Sequence, residues 1–159
     1  MTAVGPQRAL FGAALVVALG AVGAALYTQQ VMDMQPCPWC VLQRLEFLAI
    51  ALVALPGVLL RARLAQRVAA GLMLLLGLTG VATALWQHFV AASSTSCNLT
   101  LADQIVRGLG LDELWPPVFA AYASCADAAT RLLGVPYEFW SLLLFAALAS
   151  AAALALRRA

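Results

Sequence analysis

Four cysteines are the residues of this chain most able to do chemistry. Cys37 and Cys40 form a C-x-x-C motif, Cys37-Pro38-Trp39-Cys40, and Cys97 and Cys125 lie together in one later, more polar stretch. A C-x-x-C pair interconverts between dithiol and disulfide, and its thiolate is stabilised where a helix N-terminus and cations are near. The bland alternative is a static bridge, but such short loops are a familiar setting of exchangeable pairs. Cys97 and Cys125, in an oxidising compartment, would join and close a ring worth about 3–4 kcal/mol in the chain-entropy picture. Beside a reactive pair that bridge gains a second meaning, because exchange through mixed disulfides passes electrons between neighbouring pairs. A four-cysteine zinc site would repeat two close pairs, and only one pair is close here. Covalent haem attachment wants histidine directly after the second cysteine, where this chain has Val41.

Three other residues bear on the same chemistry. Arg44 follows Cys40 by four positions, so on a helix the two share a face one turn apart and a guanidinium can reach the thiolate. An ionisable group at the edge of hydrocarbon is a functional candidate, although snorkelling to the headgroups is the common alternative for a long basic side chain. Glu46 is a conceivable partner for Arg44, but two positions along a helix it faces elsewhere. His88, the only histidine, stands beside Trp86 and Gln87 at the end of an apolar run; it could handle protons or merely be an interfacial polar residue. The sequon Asn98-Leu99-Thr100 would matter only in a eukaryotic secretory pathway.

These residues need a scaffold, and the composition says which kind. The chain has 159 residues, 64% hydrophobic and 10% charged, far more apolar than the roughly 25% charged average of soluble domains. It reads as one membrane domain over residues 1–159, with nothing left over for a separate soluble unit. Apolar stretches near the length of a bilayer span are Leu10–Tyr27, Val41–Leu60, Val68–Phe89 and Phe139–Leu156. Long Leu- and Ala-rich runs without period-two alternation predict helices rather than barrel strands. Gly12, Gly20, Gly23, Gly71, Gly77 and Gly80 are predicted to let neighbouring helices approach closely. The first run is too long for a usual signal-peptide core, and a cut after Gly23 would leave an apolar start.

Charge sets an expected orientation. Arg61, Arg63 and Arg67 fall between the second and third spans, Arg8 precedes the first, and Arg157 and Arg158 follow the fourth, so these regions and both termini are predicted to face the cytoplasm. The opposite face would carry loops over about 28–40 and 90–138, with all four cysteines and with Trp39, Trp86, Trp115 and Trp140 at headgroup level. Within the long loop, Leu99–Leu114 mixes apolar residues with Asp103, Arg107 and Asp112, as a short helix along the membrane surface would. A net charge of +2 gives no nucleic-acid-binding surface.

At this point the residues resemble a known family, the DsbB disulfide bond formation proteins of bacterial inner membranes. The resemblance covers almost the whole chain. It rests on Cys37-Pro38-Trp39-Cys40 followed by Gln43-Arg44, on Gln87-His88 ending the third span, on Trp115-Pro116-Pro117-Val118-Phe119, on Cys97 with Cys125, and on Pro136 through Ser141 leading into the fourth span. It implies an all-α membrane protein, a four-helix bundle with a long periplasmic loop between the third and fourth helices. It also implies a quinone, ubiquinone or menaquinone, as cofactor, and as partner a soluble periplasmic thiol oxidase of the DsbA type. Carried over residue by residue, Cys97 would form the mixed disulfide with that partner and Cys125 would be its bonded mate. Cys37 would exchange with the loop pair, and Cys40 would lie against the quinone as a thiolate. Arg44 would support both electrostatically, with His88 near the same pocket. DsbA-type proteins are strong oxidants, so only a strongly oxidising acceptor such as a quinone can recharge them.

Two other readings remain at this level. A protein like vitamin K epoxide reductase also joins a helix bundle, a C-x-x-C and loop cysteines to a quinone, but that resemblance would place the C-x-x-C after the loop pair rather than before it. A membrane scaffold with inert disulfides is the second.

Overall fold

The computed structural model describes residues 5–60, 62–93 and 100–158. Among these, four helices are long and apolar enough to cross a membrane: α1 (Pro6–Val31), α2 (Pro38–Leu59), α3 (Arg63–Phe89), which a 3-10 turn at Ala91–Ser93 prolongs, and a final helix at Tyr137–Arg158. Each begins or ends several residues beyond the apolar stretch that announced it. The polar flanks continue the helix because backbone groups near lipid must find partners within the segment. Around the bundle, α1 packs on α2, α2 on α3, α3 on the final helix, and the final helix back on α1.

The interior of the bundle is built from aromatic rings set against small residues. Phe47 and Phe145 stack with centroids 4.0 Å apart, and Phe11, Ile50 and Met73 fill the surrounding layers among buried alanines. Lipid tails are as apolar as leucine, so close packing must hold the helices together. A Cβ on Gly80 would overlap the Phe145 ring, and one on Gly57 would come within 2.5 Å of Phe11. Gly77 meets Ala149 in the same way, but Gly12, Gly20, Gly23 and Gly71 have open space where a Cβ would stand. The expectation for those four is therefore corrected: they lie off the helix contacts, and Gly57, not anticipated, lies on one.

At the end of the bundle away from the cysteines, side chains close the helix termini. Arg8 Nε donates to the Val58 carbonyl at 2.8 Å, Gln66 Nε2 to the Leu60 carbonyl at 3.1 Å, and Gln7 Nε2 to the Ala155 carbonyl at 3.3 Å. These are last-turn carbonyls that the helices cannot satisfy themselves.

The long connection before the final helix contains three short helices, α4 (Leu101–Gly108), α5 (Leu111–Leu114) and α6 (Pro116–Phe119), then the strands β1 (Arg131–Leu132) and β2 (Val135–Pro136). The final helix, Tyr137–Arg158, is α7. The expected surface helix is present but divided: Gly110, at φ +65°, turns the chain between α4 and α5. Thr100 and Asp103 start α4 with a reciprocal capping box. Ala102 and Val106 face inward while Leu101, Ile105 and Leu109 stay exposed, the one-sided pattern of a helix lying on an apolar surface.

Candidate functional site

Cys37 is the N-cap of α2, and Pro38 occupies the first helical position, where its missing N–H costs nothing. The Cys37 sulfur accepts the Cys40 backbone N–H at 3.4 Å, and the two sulfurs lie 3.1 Å apart. The motif thus sits in the first turn, where free N–H groups and the helix dipole favour negative charge. Cys37 is fully buried among Trp39, Leu42, Ala91, Ala102 and Cys125.

Cys125 is brought to Cys37 by the backbone. The Tyr122 and Ala123 N–H groups both donate to the Pro36 carbonyl, at 3.0 and 3.3 Å, which fastens the later loop beside the motif. Hydrogen bonding between the Cys37 and Cys125 sulfurs, then contact with Cys40 and burial, holds the Cys37 thiol well above its usual range. The same hydrogen bond from Cys37 draws the Cys125 thiol below its usual range, against the opposing effect of burial. Cys125 and Cys37 are thus neighbouring sulfurs, packed where exchange between them is possible. The expected bridge from Cys125 to Cys97 involves a residue outside those described; in the structure Cys125 is a free thiol packed on Cys37.

Arg44 does not snorkel. Its side chain is only 5% exposed, and the guanidinium ties three elements together: Nη1 donates to Gln29 Oε1 of α1 at 2.7 Å and to the Val118 carbonyl of α6 at 3.1 Å, and Nη2 to the Ala25 carbonyl at 3.4 Å. The Pro116-Pro117-Val118-Phe119 segment therefore supplies an acceptor for the buried charge. Glu46 points away from Arg44, as the helical offset predicts, and accepts from Thr83 Oγ1 of α3 at 2.8 Å.

Between α1, α2 and α7 lies a cavity of about 220 Å³, lined by Cys40, Gln43, Arg44, Phe47, Tyr137 and Trp140 together with alanines of α1 and leucines of the hairpin and α7. Its walls are mostly apolar, and the Arg44 Nε–H is buried without a partner among the described residues. A buried donor left unmatched in an otherwise satisfied guanidinium is what a carbonyl-bearing ligand would complete. The residues present fit a flat apolar ring with carbonyl oxygens. Tyr137 Oη and Thr28 Oγ1, 3.1 Å apart, close this end of the α1–α7 contact.

His88 lies elsewhere. Its Nδ1 is 2.6 Å from Glu138 Oε1, its ring meets the edges of Phe89 and Phe139, and it is not among the residues lining the cavity. Two residues that the sequence placed only in motifs take positions at the sulfur instead: Gln87 Nε2 donates to Cys40 Sγ at 3.2 Å, and Gln43 Nε2 donates to Gln87 Oε1 at 2.7 Å. Amides in otherwise apolar spans were the available signal, since polar side chains in lipid need a reason.

Residues 7–155 match the family described as disulfide bond formation protein DsbB. The chain is 32% identical over 148 residues to disulfide bond formation protein B of Nitrosospira multiformis, covering 91% of this chain and 88% of that protein. It is 36% identical over 139 residues to the protein of the same name from Ralstonia nicotianae, covering 86% of each. It is also 35% identical over 133 residues to disulfide bond formation protein B 1 of Pseudomonas syringae pv. syringae, covering 82% of this chain and 78% of that one. With four membrane-length helices and a C-x-x-C at the mouth of the second, the chain belongs to the DsbB family of multi-pass membrane proteins that form disulfide bonds.

Proposed function

We propose that this protein, acting as one unit over residues 1–159, reoxidises a periplasmic dithiol oxidase of the DsbA type and passes the two electrons to a membrane quinone. The observation that carries the reading is the serial placement of Cys125, Cys37 and Cys40, ending at a cavity where Arg44 has a donor to spare. The distribution of arginines supports an inner-membrane setting with both termini cytoplasmic and the cysteines facing the periplasm.

In this reading Cys97 takes the partner's thiolate, forming a mixed disulfide and releasing Cys125. Cys125, whose thiol is drawn below its usual range, then attacks Cys37 of the Cys37–Cys40 disulfide. Cys40 is the leaving sulfur and departs facing the cavity. The partner's second thiol displaces Cys97, which returns to Cys125 and releases Cys37; a quinone in the cavity would accept two electrons and two protons from the Cys37–Cys40 pair as its disulfide re-forms. Arg44 would hold an oxygen of the acceptor and contributes positive charge beside Cys40. The surrounding apolar walls exclude water. His88, held by Glu138, serves the same end of the bundle from outside the lining of the cavity.

The test follows quinone absorbance in purified protein on adding a reduced DsbA-type protein, with Cys40→Ser and Cys97→Ser variants alongside. Turnover with ubiquinone or menaquinone that requires both cysteines is the expected result. No turnover with either quinone while the disulfides stay intact would overturn the reading and favour an inert scaffold.

A further inference from the structure

The hydrogen bond on the Cys40 sulfur does not come from the nearby cation. Arg44 donates to Gln29, Val118 and Ala25, and its Nε–H has no partner among the described residues. Besides the Cys37 thiol of its own motif, 3.1 Å away, the side-chain donor to Cys40 Sγ is the Gln87 amide, at 3.2 Å from the facing helix α3. An amide can turn either its nitrogen or its oxygen to a neighbour, and the oxygen would repel an electron-rich sulfur. Gln43, one turn beyond Cys40 on α2, removes that freedom: its Nε2 holds the Gln87 oxygen at 2.7 Å, so the Gln87 N–H₂ faces the sulfur. Both amides are at least nine-tenths buried, where a half-satisfied pair would be costly.

We propose that Gln87, oriented by Gln43, is the positioning residue for Cys40, stabilising its sulfur in the reduced pair and holding it toward the cavity. The inference deepens the redox reading above by separating two duties: Gln87 steadies the sulfur that gives up electrons, and Arg44 is left free for the acceptor. When the thiol–thiolate pair closes to the disulfide, two electrons and the one remaining thiol proton leave, the negative sulfur disappears, and the Gln87 bond loses most of its strength. The amide therefore favours the reduced pair.

The test needs neither quinone nor partner, so its outcome is independent of whether quinone reduction is observed. In the reduced full-length protein, the iodoacetamide reaction of Cys40 is followed by peptide mass mapping, and the Cys37–Cys40 pair is equilibrated against glutathione. Gln87→Met is expected to slow Cys40 alkylation and to shift the equilibrium toward the disulfide, each by about tenfold, the scale of a hydrogen bond to a charged group. Gln87→Glu, equal in length but without the donor, should move both readouts the same way, and Gln43→Met should move them less. In the unaltered protein, the infrared difference between oxidised and reduced states should contain a glutamine side-chain band that moves with isotope-labelled glutamine. Folded Gln87→Met protein with unchanged alkylation and equilibrium, or a difference spectrum without a glutamine band, overturns the proposal.

Discussion

The two halves of the bundle solve the same problem by different means. From the floor of the cavity, where Phe47 stacks on Phe145, toward the far end the bundle is held by shape: Phe145 on Gly80 and Phe11 on Gly57, with alanines between. The cysteine half carries Gln43, Arg44, Gln87 and Glu138 in buried positions, each with a specific partner. Apolar packing in lipid is sufficient for association, so the polar half costs desolvation that stability alone does not require. Its return is a defined orientation for three sulfurs and a cavity.

If that division is right, substitutions in the two halves should separate cleanly. The largest effect is expected from Cys40→Ser, which removes the sulfur facing the cavity: quinone reduction by a reduced dithiol partner should fall at least about a thousandfold, while thermal stability of the detergent-solubilised protein changes little. Phe145→Ala should do the reverse, lowering stability by about 3–5 kcal/mol while Cys40 in the folded fraction keeps its alkylation rate. Loss of Cys40 reactivity in folded Phe145→Ala protein would show that the halves are not independent.

Arg44→Met blurs the boundary on purpose. It leaves Gln29 and the Ala25 and Val118 carbonyls without their donor, so stability should fall by about 1–3 kcal/mol, and quinone affinity should weaken about tenfold or more in a binding titration. A variant that binds quinone as tightly as the unaltered protein would remove the acceptor role from Arg44. For the loop sulfurs, the directions of the thiol shifts give a pH signature. Cys125, held below its usual value, should keep its alkylation reactivity under pH of about 8.5, where an ordinary thiol loses it, and Cys37, held above, should react only at higher pH. Coincident profiles in the reduced protein would contradict the contact between them. The smallest effect is expected at the seam: Thr83→Val removes the hydroxyl donor to Glu46 and should cost about 1 kcal/mol without altering Cys40 alkylation.

Much of this protein is readable from residue order alone. Four apolar runs of bilayer length determine four helices, because backbone hydrogen bonds in lipid leave few alternatives. Cys37-Pro38-Trp39-Cys40 at the head of one run, and Arg44 one turn later, mark the reactive end, since spacing within a helix is a local property. The glycines show where local information stops. Gly20 and Gly80 look alike in the chain, and only the packing of α3 on α7 makes Gly80 a contact. The same holds for the sulfurs and their donors. That Cys125 reaches Cys37, that Gln87 rather than Arg44 donates to Cys40, and that His88 turns to Glu138 depend on residues 47–88 positions apart being folded together. Such pairings are decided by how rigid helices pack, because periodicity defines the faces of a helix but not which face of which neighbour it meets.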